Sequence, residues 1–159
     1  MTDNRVEVLL VCSGGGHLVQ LHSLREAWSD LTRTWVIGGR KKSYVYSLLE
    51  GEDIVFGHVP ASRNIRNLLR NTVLAWRTIT RSRPSVIVTT GAAVAIPFAW
   101  IGRLRGVSVV YVESLTRINR PSLSCRLVAP VADRIYVQWP ELLQALPRAR
   151  YAGSIFADG

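Results

Sequence analysis

Short apolar runs alternate along the chain with longer segments whose apolar residues recur every three or four positions. The runs are nearly continuous in valine, isoleucine and leucine, which is typical of parallel strands covered on both faces. They predict strands at Val6–Val11, Thr34–Ile37, Asp53–Phe56, Ser85–Val88, Ser108–Val112 and Arg134–Val137. The intervening segments predict helices at Leu18–Ser29, Ser43–Leu49, Ser62–Thr80, Ala92–Leu104 and Ser122–Val131, and a short one opened by Pro140. This order predicts one α/β domain over residues 1–159, a doubly wound Rossmann-like fold with a mainly parallel sheet.

Polar and glycine-rich segments follow most of the predicted strands. They read SGGGH, GGRKKS, TTGAAV, ESLTRI and QWPE after the first, second, fourth, fifth and sixth strands. Ligands of doubly wound sheets bind outside the carboxyl ends of the strands. We therefore expect these segments to share one cleft.

The first of these segments has the composition of an anion-binding turn. Three glycines let the backbone approach a ligand closely, and the helix that follows offers free N–H groups. His17, at the start of that helix, is either a general base or a capping and packing residue. A Walker-type loop is excluded because no Gly-Lys-Ser/Thr sequence follows the glycines.

A dinucleotide site is the weaker interpretation of the same turn. The fingerprint needs a third glycine or an alanine where this chain has Val19, and an acidic residue where the second strand ends in Gly38, Gly39 and Arg40. An NADP-dependent oxidoreductase therefore remains only a minor alternative. We predict neither a cofactor nor a metal site.

The distribution of charge indicates an anionic partner. The net charge is +9, and no acidic residue lies between Asp53 and Glu113. That interval contains eight arginines: Arg63, Arg66, Arg70, Arg77, Arg81, Arg83, Arg103 and Arg105. They indicate a phosphorylated substrate, an anionic membrane surface or simply a solvated basic face. Nucleic acid is not expected, because the chain has no recognised motif or aromatic platform for it.

One uncharged segment, Pro84–Gly102, approaches the length of a membrane-spanning helix. However, it begins with β-branched residues, continues through the turn-like Thr89–Gly91 and is interrupted by Pro97. A buried strand, a loop and a helix explain it better. We predict no transmembrane helix.

Three motifs together resemble the Alg14-like family: SGGGH after the first strand, YVESLTRI after the fifth and ADRIYVQWPEL around the sixth. The resemblance implies the acceptor-side, membrane-recruiting half of a two-chain GT-B glycosyltransferase that is inactive alone. A separate Alg13-like chain would bind the donor, a UDP-sugar, and the acceptor would be linked to a lipid pyrophosphate. Few residues precede the first strand, so we expect a bacterial exopolysaccharide enzyme bound peripherally at the cytoplasmic face of the membrane.

The resemblance also implies roles for individual residues. His17 becomes a candidate base or acceptor contact, and Glu113 a second base, an orienter or a structural carboxylate that pairs with Arg117. The residues expected near the acceptor phosphates are Ser13, Gly14, Gly15, Gly16, Thr89, Thr90, Gly91 and Arg117. The expected contacts with the partner chain are Gln138, Trp139, Pro140 and Glu141, with a buried structural role as the equal alternative for Trp139. A non-catalytic membrane scaffold for the partner remains the alternative function.

The predicted third helix has an apolar stripe beside a row of arginines. The stripe consists of Ile65, Leu68, Leu69, Val73, Trp76 and Ile79. A doubly wound fold needs such a stripe against its sheet, so we expect the stripe to be buried. The alternative is a helix that lies on an anionic bilayer. The membrane face would then include Arg63, Arg66, Arg70, Trp76 and Arg77.

Overall fold

The computed structural model describes residues 7–39 and 43–156, which form a seven-stranded sheet flanked by helices. The strands are β1 (Glu7–Ser13), β2 (Thr32–Gly38), β3 (Ile54–Gly57), β4 (Val86–Thr89), β5 (Ser108–Val112), β6 (Arg134–Val137) and β7 (Arg150–Tyr151). The α-helices are α1 (Gly16–Ser23), α2 (Ser43–Leu48), α3 (Ile65–Ser82), α4 (Ala95–Leu104) and α5 (Leu123–Val128). Short 3-10 helices span Arg25–Ala27 and Pro140–Gln144.

The strand order is β3-β2-β1-β4-β5-β6-β7, and every neighbouring pair is parallel. This order confirms the doubly wound, Rossmann-like prediction. The direction of winding reverses between β1 and β4, and ligands of such sheets bind at that reversal. The loops that follow β1 and β4 are therefore neighbours at the carboxyl edge of the sheet.

Each face of the sheet carries its own helices. On one face Leu18 and Leu21 of α1 and Val45 of α2 pack with the side chains of β1 and β2. On the other face Ala75 of α3 and Phe98 of α4 pack on the same two strands. The core continues beneath α5 across β5 and β6. This burial explains the nearly continuous apolar composition of β1 and β2.

The predicted elements exist, and their ends differ in places. The bounds of β5 and β6 agree with the sequence prediction, whereas α1 is shorter than predicted because Leu24 ends it and a 3-10 helix follows. The two-residue strand β7 was not predicted. Val6 and Arg40 belong to the predictions but lie outside the described residues.

The uncharged segment at Pro84–Gly102 divides as predicted into β4, a loop and most of α4. In the part of the chain that the structure describes, no helix combines the length and the apolar character needed to cross a bilayer.

The prediction that the apolar stripe of α3 faces the sheet is wrong. Ile65 is 76% exposed and Leu69 63% exposed, and Leu68, Val73 and Trp76 are also exposed. Only Ile79 of the stripe reaches the core. The buried residues of α3 are instead Asn67, Asn71, Ala75, Thr78 and Ile79. The amide side chains on this inward face bond the backbone of the loop before α3, so they can be buried without losing hydrogen bonds.

Candidate functional site

A cleft of about 680 Å³ opens at the carboxyl edge of the sheet. One wall is the loop before α3 and the first turn of that helix, with Arg63 and Ile65. A second wall is the β5–α5 loop and the start of α5, with Arg117 and Leu123. His17 also lines the cleft. Basic and apolar side chains therefore share one cleft, an arrangement suited to a ligand with an anionic group and an apolar chain.

The imidazole of His17 is held in one orientation. Its Nδ1 lies 2.8 Å from the carbonyl oxygen of Thr90, and the Thr90 hydroxyl donates in turn to the His17 carbonyl at 2.8 Å. A carbonyl oxygen only accepts hydrogen bonds, so Nδ1 carries the proton. In the neutral ring Nε2 then has the free lone pair. The structure thus gives His17 the tautomer that a general base in the cleft requires.

The loop after β4 makes the contacts that hold His17 in place. The side chains of Thr89 and Thr90 are fully buried, and the Thr89 hydroxyl accepts from the Gly91 N–H at 3.0 Å. Neither threonine lines the cleft. Their hydroxyls therefore shape the loop around His17 instead of facing a ligand, a different placement from the predicted phosphate contact.

Replacing Gly91 by alanine should lower the stability of this loop severely. Gly91 has a φ of +101°, and a Cβ there would lie 2.5 Å from the Tyr111 hydroxyl oxygen. Left-handed strain and overpacking together should cost about 2–4 kcal/mol of unfolding free energy.

Gly106 is the matched control, since its φ is +76° and a Cβ would meet no atom within 4 Å. Urea denaturation should show a loss of about 1–2 kcal/mol for Gly106→Ala. Equal losses for both variants would contradict the close packing at Gly91.

Glu113 is completely buried and does not line the cleft. Its Oε1 accepts from the Ser114 N–H and its Oε2 from the Ser122 N–H, each at 2.8 Å. Arg117, the partner considered from the sequence, is exposed, and the carboxylate is bonded to backbone instead. This placement makes Glu113 the group that closes the β5–α5 loop.

The buried hydroxyl and thiol groups nearby are unsuited to nucleophilic chemistry. Burial, and then the charge of Glu113, raise the pKa of Tyr111 and of the Cys125 thiol. Burial also raises the pKa of Cys12. These groups stay protonated and pack as neutral side chains.

The glycine turn connects β1 to α1 immediately before His17. Ser13 ends β1, Gly14 donates to the Gly38 carbonyl at 3.1 Å, and Gly15 has a φ of +88° immediately before α1. The first N–H groups of a helix have no partner within it, so this end of α1 attracts anions. Of the SGGGH motif, His17 is the member that lines the cleft. Among the described residues no group of three or more His, Cys, Asp or Glu side chains is arranged to hold a metal ion.

The segment predicted to meet a partner is only partly exposed. Gln138 is buried, and its side-chain oxygen accepts from the Ile155 N–H at 2.8 Å. The indole N–H of Trp139 donates to the Leu115 carbonyl at 2.7 Å. Pro140 and Glu141 are exposed. Gln138 and Trp139 therefore make contacts within this chain, and Pro140 and Glu141 form the accessible part of the segment.

The predicted membrane-face residues lie on the outer side of α3 or next to it. Arg66, Arg70 and Arg77 are exposed on the helix, and Arg63 lies just before it in the wall of the cleft. Trp76 is 50% exposed, and the guanidinium of Arg105 lies over its ring at 4.7 Å from the centroid. Basic and apolar side chains therefore form one continuous face beside the cleft.

Sequence reasoning missed two features of the site. The helix at Ser122–Val131 was predicted, but not that Leu123 and Leu127 line the cleft; their spacing of four places them on one face of that helix and could have indicated an exposed apolar edge. Gln20 was also missed, although it bonds the backbone of the β5–α5 loop. No signal in the sequence distinguishes it from a surface glutamine.

The family model described as "Oligosaccharide biosynthesis protein Alg14 like" matches residues 8–155. The chain belongs to the Alg14 family. Its relatives include proteins named UDP-N-acetylglucosamine transferase subunit ALG14. The one from Candida albicans is 28% identical over 91% of this chain and 75% of the relative. The human one is 26% identical over 94% of this chain and 83% of the relative. With the Yarrowia lipolytica relative, which is 32% identical, the match spans 63% of this chain and 53% of the relative.

Solved structures share the fold of this Alg14-family chain. Acinetobacter baumannii MurG aligns with a TM-score of 0.71 at 17% identity, covering 86% of this chain and 42% of MurG. A UDP-N-acetylglucosamine 2-epimerase from Rickettsia bellii aligns with a TM-score of 0.75 at 13% identity, over 96% of this chain and 46% of the epimerase. The chain therefore has the fold of one Rossmann-like half of a GT-B protein and spans less than half of these larger chains.

Proposed function

We propose that this chain is the acceptor-binding subunit of a two-chain glycosyltransferase that transfers a sugar from a UDP-sugar to a lipid-pyrophosphate-linked acceptor. The observation that carries the proposal is the orientation of His17 in a cleft that also contains Arg63 and Arg117. Family membership and the names of the relatives supply the reaction class.

In the proposed reaction Nε2 of His17 takes the proton from the acceptor hydroxyl. The hydroxyl oxygen forms a bond to the anomeric carbon of the donor sugar as the bond from that carbon to UDP breaks, and UDP leaves. The guanidinium groups of Arg63 and Arg117 hold the acceptor pyrophosphate by charge-assisted hydrogen bonds. Ile65 and Leu123 contact the first part of the lipid chain. Glu113 acts by holding the loop that bears Arg117.

The donor-binding half is proposed to be a separate Alg13-like chain. This chain corresponds to less than half of MurG and of the epimerases, and the Candida and human relatives are named as subunits. Pro140 and Glu141, together with the glycine turn around Gly15, would face the partner across the cleft. No cofactor is proposed.

The exposed face of α3 is proposed to bind the cytoplasmic surface of a membrane peripherally. Its apolar side chains would enter the interface, and Arg66, Arg70 and Arg77 would meet lipid phosphates. We place the enzyme in the bacterial exopolysaccharide branch, as the sequence resemblance implies.

Reconstitution tests the proposal. The chain, an Alg13-like chain from the same genome and an equimolar mixture should each be incubated with tritiated UDP-N-acetylglucosamine and a synthetic N-acetylglucosaminyl-pyrophosphoryl-phytanyl acceptor. Labelled sugar should enter the lipid fraction only with both chains. A membrane lipid extract of the same organism serves as a second acceptor, because it contains the organism's own lipid-linked sugars. Transfer by the Alg13-like chain alone would contradict the proposal. So would the absence of transfer by the mixture with both acceptors.

A further inference from the structure

The loop that bears Arg117 is held by a buried glutamine of α1. Gln20 is 4% exposed, and both ends of its amide are bonded. Its Nε2 donates to the Glu113 carbonyl at 2.9 Å, and its Oε1 accepts from the Leu115 N–H at 3.2 Å. Gln20 lies one helical turn after His17. It therefore ties the helix of the candidate base to the wall that bears Arg117.

The loop that bears Arg63 is held in the same way by asparagines of α3. Asn71 is 1% exposed; its Nδ2 donates to the His58 carbonyl at 3.0 Å, and its Oδ1 accepts from the His58 N–H at 2.8 Å. Asn67 donates to the Pro60 carbonyl at 2.9 Å. Arg63 itself has a φ of +53°, a conformation that a non-glycine residue keeps only when its surroundings fix it.

These amides explain why α3 presents its polar side to the sheet. Apolar side chains at positions 67 and 71 would bury more apolar surface without removing amides from water. The chain instead places its apolar residues outside and its amides inside, where they bond the loop that leads to Arg63. Each arginine of the cleft thus sits on a loop fixed by a buried amide from a neighbouring helix.

We infer that Gln20 and Asn71 are positioning residues that hold the loops bearing Arg117 and Arg63 in the walls of a cleft for a pyrophosphate group carrying an apolar chain. The ligand class rests on the proposed function. The bonds of Gln20 act on the Arg117 wall and those of Asn71 on the Arg63 wall, so each amide is expected to act through one arginine.

The test is calorimetric titration with geranyl pyrophosphate as the probe and with geraniol and inorganic pyrophosphate as its separate parts. Gln20→Met and Asn71→Leu keep the side-chain size and remove the bonds. Each should weaken binding of geranyl pyrophosphate by about tenfold, the effect of one misplaced charged hydrogen bond. Thr78→Val is the control, because Thr78 is buried on the same face of α3 as Asn71 but its side chain is not bonded to the loop that bears Arg63. The Thr78→Val variant should bind geranyl pyrophosphate with the affinity of the wild type.

Double variants separate positioning from general stability. Gln20→Met should have no further effect in an Arg117→Ala background, yet should keep its full effect in an Arg63→Ala background. Asn71→Leu should show the reverse pattern. Thermal melting by circular dichroism confirms that each variant is folded at the titration temperature. Gln20→Leu and Asn71→Met replace any variant that is not.

Two results would overturn the inference, and they differ in what they leave standing. Folded amide variants that bind geranyl pyrophosphate as the wild type does would remove the positioning role and leave the proposed function intact. The same conclusion follows if Gln20→Met lowers the affinity for geranyl pyrophosphate by the same factor in the Arg117→Ala background as in the wild type. A wild type that binds geranyl pyrophosphate no more tightly than geraniol would overturn both the inference and the acceptor site.

Discussion

Replacing His17 by asparagine should lower the turnover number of the two-chain enzyme by about 10²–10⁴-fold, the usual contribution of a general base. The asparagine amide can still donate to the Thr90 carbonyl, which now accepts from Nδ1 at 2.8 Å. The loop should therefore keep its structure, while the cleft loses the lone pair of Nε2. Initial rates at saturating acceptor and donor measure the effect, and the Michaelis constant for the acceptor should change much less.

The control for His17 is the second histidine of α1. His22 packs edge-on against Trp28, with the ring centroids 6.3 Å apart, and does not line the cleft. His22→Asn should leave the turnover number unchanged. A scaffold that only docks the partner would retain full activity in the His17→Asn variant, and that result would remove the base from the proposal.

Replacing Leu69 and Trp76 together by serine should weaken binding to anionic vesicles by about 10²-fold or more, because each apolar side chain contributes about 1.5–3 kcal/mol when fully buried. The two side chains are 63% and 50% exposed on the outer face of α3, so the native fold does not depend on their burial. Co-sedimentation with vesicles of phosphatidylglycerol and phosphatidylcholine measures the effect. Raising the salt concentration should weaken binding further, since it screens the arginines.

A valine elsewhere on the surface provides the control for this experiment. Val19 is 50% exposed on α1, and that helix packs with the face of the sheet opposite α3. Val19→Ser should leave vesicle binding unchanged. Equal losses in the Val19→Ser and Leu69→Ser/Trp76→Ser proteins would mean that α3 is not the membrane face.

Much of the fold is predictable because it depends on local patterns. A parallel strand covered on both faces is nearly continuous in apolar residues, and the buried parts of β1 and β2 are visible in the sequence for that reason. Because connections between parallel strands are right-handed, the order of the strands then determines which face of the sheet each helix covers. The position of His17 beside the loop that follows β4 follows from the same topology.

The orientation of α3 was not predictable, because it depends on long-range partners of polar side chains. Periodicity identifies the stripe that contains Leu69 and Trp76, but it does not show that Asn71 finds two backbone partners at His58. Gln20 was missed for the same reason, since its partners lie more than ninety residues further along the chain. A buried amide and a solvated amide are identical in sequence, and only the fold distinguishes them.

Calorimetric titration of the chain alone, with geranyl pyrophosphate and with UDP-N-acetylglucosamine, tests the assignment of an acceptor site most directly. Geranyl pyrophosphate should bind, and Arg63→Ala and Arg117→Ala should each weaken it, because both arginines line the cleft and a guanidinium group binds phosphate by charge-assisted hydrogen bonds. UDP-N-acetylglucosamine should bind only after the Alg13-like chain is added. Binding of the UDP-sugar to this chain alone, with no heat from geranyl pyrophosphate, would contradict the assignment.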